Sequence, residues 1–156
     1  MSDQSDMVKS LIAAFPGKVI ALELAPEQAA VLVGASAVRD FFRHLKSDDK
    51  LRFDYLSSLS GVDAGEHLEV VYHIFSTVTK AKLTVKVQLP TENAEIHSIC
   101  DIYRATDWYE REIRELYGIE VLNHPDMRPL LLPEDWDQGP PMRKGWTGRD
   151  FIVKPE

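Results

Sequence analysis

The chain has 156 residues, 44% apolar and 28% charged, which is the balance of an ordinary globular domain. A net charge of −7 argues against nucleic acid or anionic lipid as the main ligand, since both call for a basic surface. A single cysteine, Cys100, excludes an internal disulfide and supplies no thiolate set for zinc or an iron–sulfur cluster, which suits a reducing compartment. No apolar run approaches bilayer-spanning length and the polar start M-S-D-Q-S-D does not read as a signal peptide, so work at a membrane would go through partners.

In chain order, Asp6 is expected to cap a short helix bearing Val8, Leu11, Ile12 and Phe15, stopped by Pro16-Gly17. Val19 to Leu24 and Gln28 to Val33 read as strands. Ser36 is the expected cap of a helix whose stripe is Ala37, Val38, Phe41, Phe42 and Leu45. Leu51 to Ser60 reads as a strand, followed by a turn over Gly61 to Gly65. Leu68 to Phe75 is apolar on both alternating faces and should be central in a sheet. Lys82 to Leu89 alternates strictly, and Ser76 to Ala81 would join the two as an antiparallel hairpin. Pro90 to Asn93 is a turn, and Ile96 to Tyr103 leads into the next helix. The histidines His44, His67, His73 and His97 are scattered, each without an evident close partner.

Trp108 to Tyr117 has clear helix ends. Asp107 is the expected N-cap, with Glu110 three residues on as a capping-box partner and Glu112 a further acid near the positive end. Gly118 is the expected left-handed residue past the C-terminus, with Ile119 folding back against Ile113. Tyr109, Ile113, Leu116 and Tyr117 form the apolar stripe, and Glu110–Arg114 and Arg111–Glu115 read as i,i+4 ion pairs.

Beyond Gly118 the chain changes character. Six of its nine prolines fall in the last 35 residues, so neither a helix nor a central strand can run through them. Yet the segment carries Leu130, Leu131, Leu132, Trp136, Met142, Trp146, Phe151, Ile152 and Val153, more apolar weight than a solvating tail should have. The expectation is an extended arm that buries these side chains against another protein.

The run E-R-E-I-R-E-L-Y-G-I-E-V-L-N-H-P-D-M-R, followed by P-M-R-K, resembles the signature of the respiratory complex I 30-kDa subunit, also called the C subunit of NADH–quinone oxidoreductase. The match is carried by Glu110, Arg111, Glu112, Gly118, Ile119, His124, Pro125, Asp126, Arg128, Arg143 and Lys144. The chain departs from the family pattern at Glu115 (commonly Asp), Asn123 (commonly Gly), Pro129 (commonly Arg) and Gly145 (commonly Asp). Asn can take Gly's place where a left-handed conformation is needed. The lost charges at Pro129 and Gly145 leave open a related machine, a membrane-bound energy-converting hydrogenase.

Chemistry within the chain has one candidate constellation, Glu112, Glu115, His124 and Asp126, which could hold a metal for a free-standing enzyme. Local roles compete for each: helix-end electrostatics for Glu112, a pair with Arg111 for Glu115, and a turn over His124-Pro125-Asp126. The sequence holds no phosphate loop, dinucleotide fingerprint or nucleophile elbow. Arg143, Lys144 and Arg149 form the densest basic cluster of the arm. They read either as a solvated face or, with Arg128, as donors to a partner's carboxylates beside the anchors Trp136 and Trp146.

The expected architecture is a two-layer α+β domain, helices packed on one face of a mixed or antiparallel sheet in the order α-β-β-α-β-β-β-α, over residues 1–120. A Pro-rich arm over residues 121–156 carries the partner-binding segment. The resemblance implies a non-catalytic assembly subunit with Glu110, Arg111, Glu112, His124, Pro125, Asp126, Arg128, Trp136, Arg143, Lys144 and Trp146 as partner-binding residues. It implies no cofactor in this chain, with flavin, iron–sulfur clusters and quinone held by partner subunits. The implied partners are a quinone-site subunit related to the hydrogenase large subunit and a small iron–sulfur subunit. The implied location is the cytoplasmic side of the cell inner membrane, without direct insertion.

Overall fold

The computed structural model describes residues 2–25 and 28–149. Its elements are α1 (Ser2–Ala14), β1 (Val19–Ala25), β2 (Gln28–Val33), a 3-10 turn (Ala35–Ala37), α2 (Val38–Ser47), β3 (Tyr55–Asp63), β4 (Leu68–Phe75), β5 (Lys82–Leu89), β6 (Glu95–His97), α3 (Thr106–Tyr117) and β7 (Glu120–Leu122). Phe151, Ile152 and Val153 of the expected arm lie outside the described residues.

The main sheet runs β1-β2-β5-β4-β3, with β2 and β5 parallel and the other neighbours antiparallel. A mixed sheet follows because β2 and β5 are joined through α2 and two further strands, a connection long enough for a crossover. The β4–β5 hairpin pairs without a slip from Leu68–Leu89 to Phe75–Lys82. Ser76 N–H donates to Ala81 O at 2.9 Å to close it.

Register decides where the helices sit. Val31, Val85, Tyr72 and Leu59 are successive cross-strand partners and therefore share a face. Onto it α2 lays its buried stripe of Val38, Phe41, Phe42 and Leu45, the Phe42 ring 4.7 Å from that of Tyr72. Phe15, just past α1, meets Phe41 edge-on at 5.4 Å. At the far side α3 sets Tyr117 over Gly61, whose partner Val70 belongs to the same face. A Cβ on Gly61 would fall 2.5 Å from Tyr117 Cδ2, so only glycine lets α3 come this close. The molecule is thus a two-layer α+β structure with its helices on one face of a mixed sheet.

The opposite face is more polar. Gln28 donates to Thr84 Oγ1 at 3.1 Å, and Thr84 Oγ1 meets His73 Nδ1 at 3.2 Å. Lys86 pairs with Glu69 at 2.8 Å, and His67 lies 3.2 Å from the same carboxylate. His67 and His73, which the sequence leaves without evident partners, therefore have them, His73 on the neighbouring strand and His67 two residues along its own chain.

Several local expectations give way to backbone geometry. The first helix starts at Ser2, and Asp6 lies inside it, 3.5 Å from Lys9, instead of capping it. The expected Ser36 cap is replaced by a 3-10 turn closed by Ala37 N–H to Gly34 O at 2.9 Å. Leu51 to Asp54 is not strand: Asp48 Oδ1 accepts the Lys50 and Leu51 N–H groups at 2.8 and 3.2 Å and turns the chain. β3 then runs through Gly61 to Asp63, with the reversal placed at Ala64–His67. Two short strands were not read from the sequence. β6 and β7 pair in parallel (Glu95–Glu120, Ile96–Val121, His97–Leu122) and bring the root of the arm beside the 98–103 turn.

Candidate functional site

From Asn123 to Arg149 the chain forms a strap along its own domain, with α3 as its post. The helix enters through a turn: Tyr103 N–H donates to Ile99 O at 2.8 Å and Thr106 N–H to Tyr103 O at 3.0 Å. The residue before the helix, Ala105, is already αR and no side chain caps it. The expected Asp107 cap and Asp107–Glu110 capping box are therefore absent, because a helix continued from a preceding turn needs no extended N-cap.

Glu110 turns inward instead. It is 1% exposed, accepts the Ser98 hydroxyl at 2.5 Å and the Ile99 N–H at 2.8 Å, and lies 3.7 Å from His124 Nε2. Burial pushes its carboxyl up to about 7, against the lowering pull of the Ser98 and Ile99 bonds. The His124 side chain is fully buried: Nδ1 accepts the Asp126 N–H at 3.0 Å, which puts the ring proton on Nε2, facing Asp107 O at 3.2 Å. Asn123, at φ 60°, supplies the left-handed turn into this corner, as expected of a residue standing for Gly. One carboxyl thus joins the end of β6, α3 and the start of the strap.

Neither expected i,i+4 ion pair forms. Arg111 donates through Nε to Arg128 O and through Nη2 to Pro129 O, both at 2.9 Å. Glu115 accepts the N–H groups of Leu130, of Leu131 at 2.8 Å and of Leu132 at 3.4 Å. Arg114 lies 3.6 Å from Glu120. A Pro-rich strap has no ladder for its main-chain groups, so charged side chains of the helix complete them.

Further on, Gly118 ends α3 in the expected left-handed conformation (φ 65°, ψ 31°), and Pro140 packs against it. Met142 N–H donates to Leu116 O at 2.9 Å. Arg143 donates through Nε to Tyr117 O at 2.5 Å and through Nη1 to Thr91 O at 2.7 Å, so part of its guanidinium serves its own chain. Lys144 contributes its N–H to Asp63 Oδ2 at 2.8 Å. That bond, with the Gly65 N–H, holds the Asp63 carboxyl below the usual carboxylate range. Trp136 and Trp146 stack at 6.1 Å, their indole N–H groups donating to Gly139 O and Gln138 O at 2.7 Å. Arg149 pairs with Asp137.

The remaining sequence-selected residues divide. Asp126 is clasped by Arg128, which holds its carboxyl below the usual range; Pro125 is exposed in the turn and Glu112 half-exposed on α3. The proposed metal set is not brought together: Glu115 serves the strap backbone, both ring nitrogens of His124 are engaged, and Asp126 is paired with Arg128. Among the described residues no three His, Cys, Asp or Glu side chains converge to hold an ion. Sequence reasoning missed Ser98, Asp63, Thr91 and the strap role of Glu115. The available signal was the shared helix face of Arg111 and Glu115, set against a proline-rich segment with unsatisfied main chain.

The strap's apolar side chains are only partly covered. Met127 packs against the core, but Leu131 is 58% and Met142 53% exposed, and Trp108 on α3 is 67% exposed. The expectation that the arm relies wholly on another polypeptide is corrected in this respect: its backbone is anchored to its own domain, while part of its apolar surface stays open.

A two-layer α+β domain wearing a self-anchored strap is the class of molecule defined by this geometry. The chain belongs to the family of the respiratory-chain NADH dehydrogenase 30 Kd subunit, whose model matches residues 31–151. It is 48% identical over 104 residues to the NADH-quinone oxidoreductase C subunit of Chloroherpeton thalassium, covering 65% of this chain and 43% of that one. To the F(420)H(2) dehydrogenase C subunit of Methanosarcina mazei it is 37% identical over 149 residues, 94% of this chain and 93% of that one. The chain thus spans less than half of the first relative and nearly all of the second. Its fold is similar to a chain of the membrane-bound sulfane sulfur reductase, an archaeal respiratory membrane complex. The TM-score is 0.72 at 23% identity, over 85% of this chain and 78% of that one.

Proposed function

We propose that this chain is a non-catalytic assembly subunit of the peripheral arm of an NADH–quinone oxidoreductase. It supports electron transfer from NADH to quinone, coupled to proton translocation, by holding other subunits in place. The observation that carries this reading is the strap, whose main chain is fixed to α3 by Arg111 and Glu115 while Trp108, Leu131 and Met142 face outward. Rigid presentation of apolar side chains is what a docking surface requires, because little ordering entropy remains to be lost on binding. The neighbours in this reading are the quinone-site subunit, related to the hydrogenase large subunit, and the small iron–sulfur subunit. Flavin, clusters and quinone belong to those and further subunits. The chain sits peripherally on the cytoplasmic side of the cell inner membrane; among the described residues no helix is long and apolar enough to cross a membrane. Affinity purification of the tagged chain from gently solubilised native membranes tests this: both neighbours should co-purify, and recovery of the chain alone would overturn it.

A second reading concerns the electron donor. The near full-length match to the C subunit of an F(420)H(2) dehydrogenase favours a donor other than NADH in an otherwise equivalent complex. Measuring which reduced cofactor drives quinone reduction by the purified complex separates the two.

A further inference from the structure

At the N-terminal end of α3 two openings meet. One, of about 510 Å³, is walled by Trp108, Tyr109, Leu130 and Leu131. The other, of about 720 Å³, lies over Ser98, Cys100 and the His97–Asn123 side. Arg104 and Asp107 line both. The first is apolar because Glu115 takes the Leu130, Leu131 and Leu132 N–H groups and fixes the strap with Leu131 outward.

Charge at this junction is not balanced within the chain. Asp107 Oδ1 is buried and has no hydrogen-bond partner among the described residues; its nearest cationic candidate, His124 Nε2, is 3.6 Å away and already faces Asp107 O. The Glu112 side chain, on the rim of the apolar groove, makes no hydrogen bond or ion pair among the described residues, and neither does the Arg104 side chain, whose carbonyl accepts the Asp107 N–H at 3.3 Å. The other charged groups at the opening are spent: Arg39 on Ser98 O and Asp101, Asp126 on Arg128. Two carboxylates against one guanidinium leave the groove one negative charge in excess. A partly exposed carboxylate with no cation of its own chain beside an apolar wall is a ready acceptor for a partner's cation.

We infer that this junction receives an extended segment of a partner subunit carrying an aliphatic or aromatic side chain next to an arginine or lysine. The apolar side chain fills the groove between Trp108 and Leu131, and the cation pairs with the Asp107 carboxylate, whose side chain is 35% exposed. This rests on the assembly reading above and adds the chemistry of the contact. A fixed apolar wall beside an unmatched carboxylate is the arrangement in which one desolvated charge pair and one anchor dominate binding.

The test uses the complex purified through the full-length chain, with a photoreactive phenylalanine analogue at position 131 or, as control, at the exposed Ile20 on the other face of the sheet. Irradiation should join position 131, and not position 20, to a peptide of another subunit with Arg or Lys beside an apolar residue. Asp107→Asn, which keeps size and removes charge, should weaken subunit retention about tenfold while the isolated variant still unfolds in one cooperative transition. Cross-linking to a second copy of this chain, to a peptide without a basic residue, or from position 20 alone would overturn the proposal, as would full retention by Asp107→Asn. In those cases the intact complex would still support the assembly reading. A chain that retains no subunit at all, even as wild type, overturns both.

Discussion

The sheet domain and the strap are held by opposite means. In the domain, side chains carry the load: Phe41, Phe42, Leu45, Tyr72, Val85 and Val87 are all buried, and the backbone bonds are repetitive ladders. In the strap, the main chain is gripped by the side chains of Arg111, Glu115 and Asp63, and the strap's own leucines and tryptophans remain half or wholly open. Burial of apolar area is non-directional and cooperative, whereas a charged peg at the surface is directional and local. The first gives a domain that unfolds as a unit. The second gives a segment that can be released alone.

The most forceful way to break the first half of that contrast is Phe42→Ala, which removes the ring between Tyr72 and Tyr103 and should cost the domain about 3–5 kcal/mol in urea unfolding. A loss no larger than that of a surface substitution would mean that α2 is not the core's keystone.

Glu110 sharpens the boundary between the two regions. Its folded-state proton is held to about pH 7, whereas the unfolded chain releases it near 4.5. Between those values the native form binds the extra proton, so stability is fully present below pH 4.5, falls as pH rises to 7, and is level above. The change is on the order of 3 kcal/mol, and Glu110→Gln should flatten that slope. An equally steep profile in the variant would place the titrating group elsewhere.

Glu115→Ala tests release of the strap alone. Thermolysin cleavage around Leu130–Leu132 should accelerate about tenfold or more, consistent with losing bonds to a charged acceptor, while the main unfolding transition stays in place. If cleavage and global unfolding shift together, strap and domain form one cooperative unit. The smallest effect belongs to Asp63. Its depressed carboxyl keeps the Lys144 attachment above the ordinary carboxylate range and loses it as pH falls through the folded value. The protection of the Lys144 N–H, its exchange rate set against the intrinsic rate at the same pH, should therefore fall on acidification in the wild type and already be low in Asp63→Asn.

The same contrast explains what could be read from the residues. The α2 stripe, the β4–β5 hairpin, the left-handed Gly118 and the mixed α+β layering each follow from periodicity or from one residue's backbone preference, which are local properties, whereas the left-handed Asn123 is suggested only by the family pattern. The β6–β7 pairing was hidden because three-residue strands are too short to display a period and parallel partners are distant in sequence. Glu110 and Glu115 misled for a related reason. A carboxylate four residues from an arginine invites a helical pair, but the competing donors, Ser98 and the Leu130–Leu132 main chain, lie 12 to 17 positions away. Charged pairs on an exposed helix face contribute only about 0.3–0.5 kcal/mol, so main-chain donors without other acceptors win.

Because Arg111 and Glu115 hold peptide groups and touch none of the identities displayed by Leu130 and Leu131, the outward residues are free to be exchanged without slackening the fastening. Such a mounting lets one scaffold be refitted for differently shaped neighbours, each new lining inheriting an attachment that is already secure.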